Sequence, residues 1–402
     1  MRFRRATVLH LSHGSIRDDS RVCKVSVATA EGLVGEACVM GVRSREGEAA
    51  SGRHEPKEID EIKLWSGVFR GLAPRLAAYF GLVEMTARMA FSGICVRPSI
   101  VHCHDYVVLP AAWMVSMLVG SMVVYDAHEL ESKRNGMSQR ASRLCLFIER
   151  WCWRRISLLV SVSPPILDWY AANLGPKRSV LVLNSPVLPS PSLGDTAGVR
   201  RSFGQQGYFH RLFKIPMGTP VFVYLGYRMP GRGIESVLRA FCRDGVRAHV
   251  VFVGSGDAVG VQEHAARCEK IHLHHAVPHD QVVQLVREAD CGLCLIEDIS
   301  LSDRLCLPNK LFEYAFAGVP VLASHLPEIA RVVGEYGLGI CCDNDADSIE
   351  AAVRKIEREG LEPPTGDLTE LSWETQAKRL QEAYRILLAE RRLVATRTKG
   401  KL

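Results

Sequence analysis

The sequence predicts an α/β protein built from two doubly wound, parallel-sheet domains. Short runs rich in Val, Ile and Leu alternate with segments of helical period along the chain. The strand runs are apolar throughout, as in parallel strands covered on both faces, not alternating as in half-exposed ones. A Pro-, Ser- and Gly-rich stretch from Val187 to Gly218 then divides the alternation into two parts of ordinary domain size. The 402 residues, 47% of them hydrophobic, can fill two cores and exclude a disordered chain. The expected layout is a first domain over 1–190, a linker over 191–218, a second domain over 219–375, and a terminal helix with a basic tail over 376–402.

The chain opens with a strand, Arg5 to Ser12, and a turn at His13-Gly14-Ser15. Asp19 or Ser20 can cap the helix starting near Arg21, where Val22, Val25, Ala28, Thr29 and Leu33 keep helical spacing. Gly35 ends that helix before a second strand, Ala37 to Val42. This βαβ opening lacks Gly-x-Gly-x-x-Gly, which removes the best support for a dinucleotide site. Residues 44–60 read as a polar loop. Tyr106 to Tyr125 is uncharged and long enough to span a bilayer. Pro110 and Gly120 divide it, so a helix over Pro110–Val119 and a strand over Ser121–Tyr125 explain it better. The strands Ile100–Asp105 and Val123–Leu130 end on His104 and His128, where side chains of an open sheet meet ligands. A structural, loop-capping histidine is the plainer alternative for each. Leu158–Ser163 and Val180–Leu183 complete the first sheet.

Charge is unevenly spread. Residues 1–190 carry 24 Lys and Arg against 17 Asp and Glu, and the remainder 26 against 27. Two stretches concentrate the excess. Residues 61–97 set Lys63, Arg70, Arg75, Arg88 and Arg97 among Trp65, Phe69, Leu72, Leu76, Tyr79 and Phe80. Residues 133–155 set seven basic side chains against Glu149 alone, with Leu144, Phe147, Trp151 and Trp153 interleaved. Basic amphipathic helices of this kind suit an anionic membrane surface; helices packed on the sheet with a solvated charged face are the alternative. No helix-turn-helix, zinc-finger or RNA-binding signature supports nucleic acid as the polyanion.

Thirteen scattered cysteines fit free thiols in a reducing cytosol. Cys291 and Cys294 lie in an apolar strand, Cys291 to Glu297, and no second pair stands at zinc spacing, so neither metal nor redox chemistry is expected there. No secretory signal is expected at the N-terminus. A cytoplasmic protein follows, peripheral at the inner face of the plasma membrane if the basic stretches meet lipid.

The second domain opens with the strand Pro220–Gly226. The segment Tyr227 to Ile234 places Arg228 and Arg232 in a glycine turn before a helix over Glu235–Cys242, a cradle for phosphate. Strands at Ala248–Gly254 and Ile271–Val277, the turn Gly254-Ser255-Gly256-Asp257, and a helix over His279–Ala289 follow. Leu307 to Ser324 carries the densest information. Pro308 and Asn309 are a stop and a cap. Lys310 to Ala317 reads as a helix with Leu311, Tyr314 and Ala315 on one face. Gly318 and Pro320 end it before a buried strand, Val319–Ala323. The free N–H groups and dipole at the helix start, with Lys310 beside them, suit a diphosphate, and Glu313 stands one turn in, placed for hydroxyl groups. An ordinary helix-to-strand crossover is the plainer reading. A strand over Gly337–Cys341, helices over Asp347–Arg358 and Trp373–Leu393, and a disordered tail from Ala395 to Leu402 close the chain.

The run Lys310-Leu311-Phe312-Glu313 with Ala317-Gly318-Val319-Pro320 resembles the carboxyl-half signature of the family 4 retaining glycosyltransferases, enzymes of the GT-B fold. The resemblance covers nearly the whole chain and is strongest over 220–325. It implies two Rossmann-like domains facing a cleft and a nucleotide-diphosphate sugar as substrate, without cofactor or metal; no Asp-x-Asp resembles a metal-binding transferase motif. It assigns Glu313 to the donor ribose and Arg228 and Arg232 to the diphosphate, with Asn309, Lys310 and Leu311 at the helix start. Gly226 and Gly254 let backbone approach the nucleotide, and Val277 meets the base through backbone groups. Gly14 lies where the donor phosphate or the acceptor meets backbone. His128 matches the histidine that contacts the donor sugar or leaving group, with Asp126 and Glu129 as its orienters. The family's usual second Glu, eight positions before Glu313, is Leu305 here; Asp303 is the nearest substitute, and His104 the other sugar or acceptor candidate. The implied acceptor is a glycan or lipid-linked glycan. A nucleotide-sugar isomerase on the same fold and a non-catalytic subunit stay open as alternatives.

Overall fold

The structure, a computed structural model, describes residues 7–14, 16, 19–32, 37–42, 59–65, 74–188, 204–256 and 260–399. It forms two compact units, Met1–Leu183 with Glu374–Leu402, and Asn184–Trp373. Asp18, Gly35, Phe69, Arg70, Leu72 and Asp257 lie outside the described residues.

The first unit runs β1 (Val8–Ser12), α1 (Ser20–Gly32), β2 (Ala37–Val42), β3 (Ile59–Ile62), α2 (Pro74–Val96), β4 (Ile100–His104), α3 (Leu109–Val119), β5 (Met122–Ala127), α4 (Gln139–Cys152), β6 (Ile156–Ser161), α5 (Pro164–Leu174) and β7 (Ser179–Leu181). Its seven strands are all parallel, in the order β3-β2-β1-β4-β5-β6-β7. Asp19 is the cap of α1, its carboxylate accepting from the Arg21 and Val22 N–H groups at 3.0 and 3.1 Å.

Strand β3 departs from expectation. It occupies the end of the expected polar loop and the start of the expected amphipathic helix, which begins only at Pro74. Ile59 and Ile62 bracket two acids, a pattern that suits an edge strand paired on one side only.

The second unit begins at Asn184, before the expected linker, and takes that linker in. Residues 204–218 hold α6 (Tyr208–Phe213), with Phe209 and His210 buried, and the Gly204 N–H donates to Asp290 at 2.9 Å. The unit continues β8 (Val221–Leu225), α7 (Ile234–Phe241), β9 (His249–Val253), α8 (Val261–Arg267), β10 (Ile271–His274), α9 (His279–Val286), β11 (Cys291–Cys294), α10 (Leu301–Leu305), α11 (Asn309–Ala317), β12 (Val321–Ser324), α12 (Pro327–Glu335), β13 (Gly339–Cys342) and α13 (Ala346–Glu359). Its parallel sheet has the order β10-β9-β8-β11-β12-β13. Helices α10 and α12 were not expected; Ser300 and Pro327 start them.

Helix α14 (Trp373–Lys399) returns to the first unit. Gln376 accepts from the Leu183 N–H at 3.1 Å, Gln381 donates to the Ala28 carbonyl at 2.8 Å, and the Tyr384 hydroxyl bonds His102. It runs through most of the tail expected to be disordered, because no glycine or proline interrupts it before Gly400.

Both cores hold ionisable groups. Glu149 of α4 is fully buried, accepting from the Tyr125 and Tyr170 hydroxyls at 2.8 and 2.5 Å. Burial raises its carboxyl to about 7, against the two hydroxyl bonds that pull it down. The folded state therefore holds a proton between pH 4.5 and 7 that the unfolded chain has lost, and the contribution of Glu149 to stability falls as pH rises through that window. Glu149→Gln is expected to abolish this fall. The check is the melting temperature of both proteins from pH 4.5 to 8, with a difference in slope equivalent to roughly 3 kcal/mol at most across the window.

Candidate functional site

In open α/β sheets, ligands meet the carboxyl ends of strands where the strand order reverses. In the second unit that point lies between β8 and β11. Gly226 follows β8 with φ 114°, and Gly254 follows β9 with φ 141°. A Cβ on Gly254 would stand 2.2 Å from the Gly226 carbonyl oxygen, so the two turns touch backbone to backbone, whereas a Cβ on Gly226 would meet nothing within 4 Å. The pair is a rigid rim with an open outer side.

Helix α11 stands over the neighbouring strands. Tyr314 fixes it: its buried hydroxyl accepts from the Leu225 N–H at 3.1 Å and lies 3.1 and 3.2 Å from the Val223 and Leu293 carbonyls, tying the helix to β8 and β11 together. Its ring fills the space where a Cβ on Gly292 would come within 2.4 Å. The helix ends on Gly318 in the left-handed conformation, φ 71°. Its start differs from expectation. Pro308 takes the cap position, Asn309 is the first helical residue, and no side chain caps the helix. Asn309 is thus not a cap, and the helix opens with N–H groups and its positive dipole end uncovered by side chains.

Lys310 sits in this opening. Its ammonium is buried 3.8 Å above the centroid of the Tyr224 ring and has no hydrogen-bond partner among the described residues. A buried donor left unsatisfied costs about 1–3 kcal/mol, more if charged. A cation–π contact returns about 0.5–2 kcal/mol. Tyr224 therefore offsets only part of the cost, and an anion would remove the rest. Lys310, Arg232 and Glu313 all act on Cys294, the last residue of β11. Burial raises that thiol to about 11, with the two cations pulling it down and Glu313 pushing it up.

The two arginines of the expected cradle separate. Arg228 is 7% exposed, its Nε donating to the Gly256 carbonyl at 2.6 Å and its Nη1 to the Gly254 carbonyl at 2.8 Å. It is the strut that shapes the glycine turn. Arg232 is the more open of the two, with Nη1 3.5 Å from Asp303. Asp303 is buried and also accepts from the Ser300 hydroxyl at 2.7 Å. Leu305, the departure from the family pattern, ends α10. Leu311 is fully buried and its N–H donates to the Pro308 carbonyl. Val277 lies half-buried in the loop before α9. Glu297, one of the acids near Leu305 in sequence, accepts from the Gly233 N–H at 3.0 Å and fixes the start of α7.

In the first unit the strand order reverses between β1 and β4. Gly14 follows β1, its carbonyl accepting from Val42 at 3.2 Å; a Cβ there would meet nothing within 4 Å. His128 follows β5, with a buried Nδ1 that has no partner among the described residues. Asp126 and Glu129 do not orient it. Asp126 holds the buried Arg21 through two 2.8 Å bonds, and Glu129 pairs with Arg134 at 2.7 Å. Burial pushes the Asp126 carboxyl up, but Arg21 and the bonds to His102 and His104 outweigh it and hold the group well below its usual range.

His104 is drawn into a stack with His10 and His102, the His10 Nδ1 lying 3.1 Å from the His104 Nε2. Candidate ligand atoms of the three rings lie within 4.8 Å of one another. Near-parallel rings, 14° to 28° apart, do not aim their in-plane lone pairs at one point, so the trio reads as a packed cluster. Asp105, also missed, closes β4 with φ 99°, a strained conformation for a residue with a Cβ. Its carboxylate accepts from the Val107 N–H and lies 3.6 Å from His13. The His-x-His-Asp spacing at a strand end was the available signal.

Two family models match this chain: a glycosyl transferase 4-like domain over residues 6–186 and glycosyl transferases group 1 over residues 219–358. The chain belongs to the group 1, family 4 glycosyltransferases. No curated protein matches it by sequence. Solved structures match over nearly the whole chain. Sucrose-phosphate synthase from Thermosynechococcus elongatus is 15% identical with a TM-score of 0.73, covering 95% of this chain and 99% of its own. Anabaena HepE in complex with UDP and glucose is 14% identical with a TM-score of 0.62, covering 99% and 100%. The lipopolysaccharide outer core galactosyltransferase WaaB is 11% identical with a TM-score of 0.58, covering 96% and 99%. At these identities the likeness is one of fold, and the fold is GT-B.

Three substitutions of this transferase test these contacts. Lys310→Met should leave the melting temperature of the nucleotide-free protein unchanged or raise it by a few degrees, because it removes an unsatisfied buried charge; a fall of more than ~4 °C in a thermal scan would contradict this. Gly254→Ala should destabilise by roughly 2 kcal/mol or more in urea titration. Gly14→Ala, whose Cβ meets nothing, should stay within about 0.5 kcal/mol.

Proposed function

We propose that this transferase moves a sugar, with retention at the anomeric carbon and without a metal, from a nucleotide-diphosphate sugar to a glycan or lipid-linked acceptor in cell-surface polysaccharide or glycolipid synthesis. The observation that carries the reading is the Lys310 ammonium: buried, without a hydrogen-bond acceptor, at an uncapped helix start. Lys310, the first N–H groups of α11 and Arg232 take the diphosphate. Glu313 takes the ribose, Val277 the base, and the outer side of Gly226 lets the phosphates approach backbone. His128 donates to the sugar or leaving oxygen, and its unpartnered Nδ1 supports that assignment. Gly14, for the donor phosphate or the acceptor, and the strained Asp105 are the first unit's further candidates for contact with substrate.

In the proposed step the bond between the anomeric carbon and the β-phosphate oxygen breaks, and its electron pair leaves on the diphosphate. The acceptor hydroxyl oxygen bonds the same face of that carbon, and its proton passes to the departing phosphate oxygen. The cations stabilise the charge that develops there, the role a metal fills elsewhere. A cytoplasmic location agrees with thirteen free cysteines. No helix among the described residues is long and apolar enough to cross a membrane.

HepE was solved with UDP and glucose, which makes UDP the first nucleotide to try. Thermal shift against UDP, GDP, ADP and their sugars, with and without EDTA, should show one nucleotide raising the melting temperature by several degrees at saturation, indifferent to EDTA. Product NMR should then show the donor's anomeric configuration kept. A shift lost in EDTA, or an inverted product, would overturn the metal-free or the retaining part. Binding without turnover of any sugar would favour a non-catalytic subunit.

A further inference from the structure

Helix α4 is built inside out. Its inward face carries Cys145, Glu149 and Cys152, all buried, while Leu144, Phe147 and Trp151 point outward. Folding alone would sort these residues the other way, since exposing large apolar side chains and burying a carboxyl group both cost free energy. The carboxyl is accommodated by two tyrosine hydroxyls, but among the described residues the apolar row stays largely uncovered; Phe147 is 65% exposed. Arg140, Arg143 and Arg150 share the outward face at helical spacing with that row, and no carboxylate pairs with them among the described residues.

The row does not end with α4. Helices α2, α3 and α4 pack side by side. Trp113 of α3 lies 4.5 Å from Trp151, and Gly93 of α2 lets Val115 of α3 come so close that a Cβ would stand 2.6 Å from it. Right-handed crossovers place these helices on the sheet face opposite α1 and α14. Phe91 of α2 and Leu118 of α3, 67% and 69% exposed, extend the apolar surface beyond α4. The sequence suggested basic contributions from 61–97 and 133–155 alike. Among the described residues, α2 and α3 add exposed apolar side chains, and α4 carries exposed arginines beside its own apolar row. Arg134 is withdrawn, held by Glu129, Glu131 and Asp105.

We infer that the outer face of α2, α3 and α4 docks on an anionic lipid bilayer, with Leu144, Phe147 and Trp151 entering the headgroup boundary and Arg140, Arg143 and Arg150 on lipid phosphates. Interleaved arginine and aromatic side chains on a non-spanning helix are the pattern that binds such an interface, where apolar depth and negative charge occur together. The inference deepens the lipid-linked acceptor reading, since it brings the enzyme to the surface that holds such an acceptor.

The test is co-sedimentation of the full chain with phosphatidylcholine vesicles and with phosphatidylcholine–phosphatidylglycerol vesicles. Leu144→Ser/Phe147→Ser and Arg143→Glu/Arg150→Glu are compared with the parent chain, and nucleotide-induced thermal shift is recorded on each. All four substitutions lie on exposed positions, and far-UV circular dichroism checks their folding. The parent should sediment with the anionic vesicles alone. Each double variant should lose about tenfold or more in vesicle affinity while keeping its nucleotide shift. Equal binding of parent and variants, no binding by the parent, or binding indifferent to lipid charge would overturn the inference. So would a parent dimer that the variants dissociate in light scattering, which would assign the face to a second copy of the chain. The donor reading stands or falls separately, on the nucleotide shift.

Discussion

The hydroxyl of Tyr314 is the fixed point of the second unit. It bonds backbone groups of β8 and touches β11, and its ring occupies the space that Gly292 leaves open. Those contacts set where α11 begins, and therefore where its uncapped N–H groups and Lys310 stand relative to the ends of the central strands. A phenylalanine there would keep the packing and lose the anchor. A buried Leu225 N–H would then need another partner, at a cost of about 1–3 kcal/mol. The site is thus a consequence of core packing. The charges at its surface are held at distances that a hydrophobic helix face has already determined.

The first unit is organised by a different interaction, the buried pair of Asp126 and Arg21. The pair ties β5 to α1, and the Arg21 Nη1 reaches the Val182 carbonyl at 3.1 Å. Asp126 also lies 3.6 Å from both His102 and His104. Burial first, and then its histidine neighbours, keep His10 well below the usual range, and burial with His104 brings His102 to about 3. Neutral imidazoles that the unfolded chain would protonate favour folding near neutrality and cost stability as pH falls below about 6.5. Glu149 acts in the opposite direction over an overlapping window, so the intact protein's pH dependence hides two larger slopes.

Most of the strands followed from period and punctuation, and α11 was plain because Pro308 and Gly318 bracket it, whereas β3, α6, α10 and α12 did not show. Contacts between residues distant in sequence were not legible. Arg228 and Arg232 look alike in a glycine turn, and only the fold shows one bound to the Gly254 and Gly256 carbonyls and the other more open. His104 shares the strand-end setting of His128. Its place in a stack depends on β1 lying beside β4 in a register that sets His10 against His102. The direction of α4 was equally hidden, because its amphipathic pattern reads the same whichever face is buried.

The proposed diphosphate site depends above all on the Lys310 ammonium, buried without a hydrogen-bond partner among the described residues. Calorimetric affinities for UDP and UMP on the parent chain and on Lys310→Met test it most directly. The parent should strongly prefer the diphosphate, and the variant should lose most of that preference while still binding UMP. An unchanged ratio of the two affinities would contradict it.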